Sequence, residues 1–136
     1  MKKNTLFLLV IYLTTVAASC SKKSSCVAGS GGDFHIHATL KHHNKIIYSQ
    51  STYLDTVYVK YNSLNSPGEN LALYDTFFIG SLSNEMIMIS SLKCGDYYLL
   101  GAGYDTSVQS RVVGGLPITL GNSQTTDIII PVTEGD

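Results

Sequence analysis

His35 and His37 are the residues of this 136-residue chain whose type and spacing most directly suggest chemistry. On an extended strand, residues i and i+2 project to one face about 7 Å apart. Two imidazoles there can share Zn²⁺ or Cu²⁺ if a neighbouring strand supplies a further ligand. His42 and His43, the remaining histidines, lie close enough in sequence to be considered with them. The competing reading is an exposed polar face that happens to use histidine, because no carboxylate or cysteine stands at a convincing ligand spacing.

Nucleophilic chemistry has weaker support. No Gly-x-Ser-x-Gly elbow occurs among the many serines. Cys94 sits beside Lys93, Gly95 and Asp96 in a turn, where a cation can lower a thiol pKa. A turn residue or a disulfide partner is the commoner role for such a cysteine. Tyr97 and Tyr98 project to opposite faces of a strand. Exposed tyrosines, with the polar loops Asn62 to Asn70 and Asp105 to Arg111, suit a carbohydrate or protein surface, whereas ordinary core packing explains them without one. The sequence thus predicts no enzyme and no cofactor.

The cysteines carry more information. Lys2 and Lys3, the apolar run Leu6 to Ala18 and the small residues Ala17, Ala18 and Ser19 lead into Cys20. This is the anatomy of a secretory signal, and the apolar run is shorter than the roughly 20 residues of a membrane span. Ala-Ala-Ser-Cys resembles a bacterial lipobox, although Ala17 stands where a larger aliphatic residue is usual. That resemblance implies cleavage before Cys20 and acylation of its thiol. Ordinary secretion, with cleavage after Ala18, is the alternative. Three cysteines are an odd number for an exported protein. A lipid on Cys20 leaves Cys26 and Cys94, which either pair in an oxidising compartment or remain unrelated thiols.

The expected organisation is a signal over residues 1–19, a lipidated Cys20 with a flexible Ser/Gly-rich tether over 20–32, and one folded domain over 33–136. Past residue 19 the chain carries seven Lys/Arg against ten Asp/Glu, a formal charge of −3. With no basic cluster beyond Lys22 and Lys23, nucleic acid is excluded as the expected partner.

The positioning elements are short strands. Phe34, Ile36, Ala38 and Leu40 alternate with His35, His37, Thr39 and Lys41, the pattern of a half-buried strand. Lys41 to Lys45 reads as a turn, Ile46 to Ser49 as a short continuation, and Thr56 to Tyr61 as a second alternating strand. Asn62 to Asn70 must loop, and Leu71 to Asp75 has room for a turn of helix. Thr76 to Gly80 and Met86 to Ser90 are expected to form a hairpin. Tyr97 to Tyr104 is a long strand in which Gly101 and Gly103 signal a close backbone approach or a bulge. Val112 and Val113 lead through a Gly114-Gly115 turn into Pro117 to Leu120, and Thr126 to Val132 closes the domain. About seven strands and no amphipathic helix predict an all-β, antiparallel β-sandwich, with a barrel as the structural alternative.

Over these strands the chain resembles a known family. VYVKYN, Pro67-Gly68, Leu92 with Gly95-Asp96-Tyr97-Tyr98-Leu99, Tyr104-Asp105, Gly114-Gly115-Leu116-Pro117 and the closing IIIPVTE are similar to the carboxypeptidase-regulatory-like, or transthyretin-like, domain. More narrowly, the chain resembles small lipoproteins of Bacteroidota-type bacteria carrying one such domain. The resemblance implies a prealbumin-like sandwich and an accessory role, since such modules serve peptidases, transport receptors and adhesins. It does not imply the 5-hydroxyisourate hydrolase activity of one branch. That branch has a C-terminal Tyr-Arg-Gly-Ser, and Arg111 is the single arginine here.

The leading expectation is therefore a non-catalytic, lipid-anchored envelope protein, held to the outer membrane by its lipid, that binds or scaffolds a protein or glycan partner. Acidic residues soon after the lipidated cysteine accompany export to the outer surface in similar lipoproteins. Ser21, Lys22 and Lys23 stand there instead, so periplasmic and surface-facing positions both remain open. The alternative is a small-ligand or metal-handling envelope protein using the His35/His37 face.

Overall fold

The computed structural model describes residues 26–121 and 125–135. The expected signal and Cys20 lie outside the described residues. The described strands are β1 (Ser30–His42), β2 (Lys45–Ile46), β3 (Thr56–Tyr61), β4 (Thr76–Ile79), β5 (Ile87–Leu92), β6 (Gly95–Asp105), β7 (Ser110–Leu120), β8 (Thr125–Pro131) and β9 (Thr133–Glu134). Seven of them have four residues or more. A 3-10 turn, Leu71–Leu73, accounts for the helical turn expected there.

Alternation builds the two layers. One sheet centres on β1, which pairs with β2, β5 and β8; the other runs β4-β3-β6-β7-β9. Ile36, Ala38 and Leu40 from β1, Ile87 and Ile89 from β5, and Ile130 from β8 face Val57, Val59, Tyr97, Leu99 and Val112 of the second sheet in one core. Full burial of each large apolar side chain contributes roughly 1.5–3 kcal/mol. The all-β sandwich is as expected.

Several details differ from the sequence reading. β8 pairs with β1 in parallel, from His35↔Thr125 to Lys41↔Pro131. β8 follows a strand of the other sheet, so its direction is not set by hairpin pairing with β7. β4 and β5 do not form a hairpin: β4 pairs with β3 and β5 with β1, because each turns its apolar side to the shared core from opposite layers. Gly114-Gly115 is not a turn but the middle of an unbroken β7, paired with Gly101 and Leu100. A Cβ at Gly114 would collide with the Pro131 carbonyl, and one at Gly115 with the Leu99 carbonyl. Both glycines are therefore explained by close backbone approach, and Gly101 by core packing, since its Cβ would strike the Leu40 side chain.

The domain also begins before Asp33. β1 starts at Ser30, and the preceding residues are fastened to the sandwich. Cys26 is disulfide-bonded to Cys94, with Cα atoms 5.1 Å apart. Ala28 is buried, and its N–H donates to Asn62 Oδ1 at 3.1 Å. The Tyr97 hydroxyl accepts from the Gly29 N–H at 3.0 Å and donates to the Lys93 carbonyl at 2.7 Å. Gly95, at φ +141°, lets the backbone meet Ala28 where a Cβ would not fit. Small residues in a Ser/Gly-rich segment thus serve close packing here, which composition alone reads as looseness. Among the described residues no helix is long and apolar enough to cross a membrane.

Candidate functional site

The hairpin at the end of β1 brings two histidines together. Lys41↔Ile46 and His42↔Lys45 pair around a two-residue turn, His43-Asn44, with φ of 46° and 65°. Positive φ at both central residues is the type I′ geometry that suits the strand twist, and His and Asn enter the left-handed region more readily than most residues. His42 continues the inward row of Ile36, Ala38 and Leu40, so it is buried at 1% exposure, while His43 is 73% exposed. Their ring centroids lie 4.1 Å apart.

Two carboxylates approach His42 from the second sheet. Asp105 ends β6, and its Oδ2 lies 2.7 Å from His42 Nδ1. Its Oδ1 accepts from both the N–H and the hydroxyl of Ser107, each at 2.7 Å. The Ser107 hydroxyl, the His42 contact and the Ser107 N–H hold the Asp105 carboxyl down at about 2, so Asp105 is an acceptor and His42 Nδ1–H the donor. Glu134, on β9, is delivered by the crossing of the chain from β8: Val132 N–H donates to the Lys41 carbonyl at 2.9 Å, next to His42. Glu134 Oε2 lies 3.1 Å from His42 Nε2, and Oε1 lies 3.7 Å from His43 Nε2. The Asp105 hydrogen bond raises the His42 pKa above its ordinary value; burial opposes this, and the nearby Glu134 carboxylate reinforces it. Although Glu134 is within ion-pair distance, buried His42 Nε2 has no aligned hydrogen-bond partner.

His42, His43 and Glu134 offer ligand atoms within 4.8 Å of one another. His35 and His37 do not acquire such a third ligand among the described residues. They lie on the face of β1 away from the core, beside β8, where His37 Nδ1 meets Asp127 Oδ1 at 2.9 Å and His35 registers with Thr125. Cys94 has its sulfur in the disulfide, which removes it as a free nucleophile. Tyr97 is fully buried, and Tyr98 lies on the opposite face, half-buried.

A second feature lies on the outer face of the five-stranded sheet. Leu100, Ala102 and Val113 form a small apolar cluster covered by Tyr58 and Tyr74. The chain between β3 and β4 folds over this face, pinned by Asp75, which accepts from the Tyr61 N–H at 2.7 Å and from Lys60 Nζ at 3.2 Å. Tyr58, Leu71, Tyr74, Asp75, Thr76 and Phe77 line an open groove of about 430 Å³. Tyr58 sits 6.0 Å from both the Tyr74 and the Phe77 ring centroids.

No protein-family model, curated protein or solved structure matches the chain.

Glu134 and Asp105 escaped the sequence reading because sheet topology, not local spacing, brings them to His42. His42 itself carried a signal: the inward row at residues 34, 36, 38 and 40 lands on it at the next step.

Proposed function

We propose that this chain is a lipid-anchored, non-catalytic envelope protein whose sandwich binds another envelope protein. The Cys26–Cys94 bond carries this reading. Such bonds persist in oxidising, extracytoplasmic compartments, which supports export. The bond also accounts for two of the three cysteines, leaving Cys20, at the end of the lipobox-like segment, to take the lipid.

The binding surface is the aromatic groove on the five-stranded sheet. Phe77 and Ile79 of the edge strand β4 are 56% and 55% exposed, and Leu71 and Leu73 extend the apolar area. Exposed apolar surface rimmed by polar loops is a mark of interaction sites, and aromatic anchors dominate the energetics of such contacts. Cross-linking in intact membranes, followed by capture of the tagged full chain, tests the reading. A reproducible partner captured by the wild type and depleted by about tenfold or more in Phe77→Ser is expected for one lost anchor. Recovery of the chain alone contradicts it.

A further inference from the structure

We propose that His42 Nε2, His43 Nε2 and the Glu134 carboxylate form a binding site for one divalent first-row transition ion, with Zn²⁺ as its simplest occupant. Three observations converge. The donor atoms of these side chains already lie within 4.8 Å of one another. His42 is buried at 1% exposure, and its Nε2 lies 3.1 Å from Glu134 Oε2 without an aligned hydrogen bond to any protein atom. Its opposite nitrogen, Nδ1, is held at 2.7 Å by Asp105, which is itself fixed by Ser107.

That last contact sets the chemistry. With Nδ1–H donating to Asp105, neutral His42 presents a lone pair at Nε2. The histidine-carboxylate couple is the arrangement that orients metal-bound imidazoles and raises their basicity. Without a cation a protonated His42 is compensated by the two carboxylates at 2.7 and 3.1 Å; a divalent ion that displaces the Nε2 proton takes over that compensation and coordinates both Nε2 and Glu134.

The donor set selects the class of ion. Two imidazoles and one carboxylate, without thiolate, suit Zn²⁺ and its borderline neighbours rather than Cu⁺ or Ca²⁺. Metal–ligand distances near 2.0–2.2 Å place tetrahedral donors about 3.3 Å apart. The His42–Glu134 separation is already 3.1 Å and the His43–Glu134 separation 3.7 Å. The remaining adjustment falls on His43 and Glu134, whose side chains are 73% and 48% exposed and so are not confined by core packing. His42 supplies the rigid donor, and the exposed side leaves a fourth position for water or a ligand from a partner.

The site differs from the His35/His37 face and does not depend on the partner-binding reading. It is tested by isothermal titration of ZnCl₂ into the purified full-length chain, prepared without a polyhistidine tag and without reductant. One ion per chain is expected, with affinity falling by about tenfold or more in Glu134→Gln and in His43→Asn, each of which removes a donor. Asparagine keeps the left-handed turn geometry at residue 43, and circular dichroism confirms that each variant is folded. Asp105→Asn is expected to weaken binding by roughly 10- to 100-fold while leaving the three donors present. The double variant His35→Ala, His37→Ala is expected to bind as the wild type does. Absence of saturable binding in the wild type overturns the proposal. So does affinity unchanged in both Glu134→Gln and His43→Asn, or binding lost in the His35/His37 double variant.

Discussion

Asp105 accepts a 2.7 Å hydrogen bond from His42 Nδ1 across the two layers of the sandwich, tying the end of β6 to the end of β1. The contact is part of the fold as well as of the candidate site. Asp105→Ala leaves a buried imidazole N–H without its acceptor, at a cost of about 1–3 kcal/mol. Urea denaturation near neutral pH with chelator present is expected to show this loss. A variant as stable as the wild type would mean that His42 finds another acceptor.

Asp55 predicts a pH dependence of its own. It is buried at 3% exposure, and its Oδ1 lacks a hydrogen-bond partner. Burial pushes its carboxyl up to about 6, against the lowering effects of the Tyr104 backbone and the Ser49 hydroxyl. A raised acid pKa means that the folded state holds a proton which the unfolded chain releases from about pH 4 upward. Stability from this group therefore falls between about pH 4 and pH 6 and is level above that. At 1.36 kcal/mol per unit, the expected fall is on the order of 3 kcal/mol. Asp55→Asn should remove this slope from a series of denaturation curves between pH 4 and pH 7; an unchanged slope contradicts the assignment.

The disulfide closes a loop between residues 68 apart in sequence. Loop-closure entropy gives about 4 kcal/mol for a crosslink of that span. Cys94→Ser, or reduction of the wild type, should lower the denaturation midpoint by a corresponding amount, while strand content by circular dichroism persists at low denaturant. A midpoint unaffected by reductant would argue that the two thiols are not joined in solution.

Tyr97 makes a finer prediction about the start of the domain. Its ring is fully buried, and its hydroxyl holds both Gly29 and Lys93. Tyr97→Phe keeps the packing and leaves those groups short of a partner, costing about 1–3 kcal/mol. Hydrogen exchange should accelerate at the Gly29 amide more than in β6. Equal protection at Gly29 in both proteins would show that the disulfide and the Ala28 and Lys93 backbone contacts hold this segment without the hydroxyl.

The two-layer architecture was legible because it depends on local alternation. Phe34 to Leu40, Thr56 to Tyr61 and Tyr97 to Tyr104 each announce an inward and an outward row, and those rows meet in one core. What local pattern does not encode is pairing. Met86 to Ser90 reads as a hairpin partner for Thr76 to Gly80 because the two are adjacent in sequence, yet the second strand of each pair is chosen by the layer it must complete. Gly114-Gly115 reads as a turn because backbone crowding by Pro131 and Leu99 is invisible from composition. The candidate site divides in the same way: His42 follows from alternation, and His43 from the turn. Asp105 and Glu134 reach them only through the register of β6, β7 and β9.

The lipid-anchored function proposed above depends on Cys20 being the anchor that the paired Cys26 and Cys94 leave over. Metabolic labelling with a radioactive fatty acid, in cells expressing the full chain, tests this most directly. Label is predicted to enter the wild type and Cys94→Ser and to be lost from Cys20→Ala. An unlabelled wild type, or label that persists in Cys20→Ala, would contradict it.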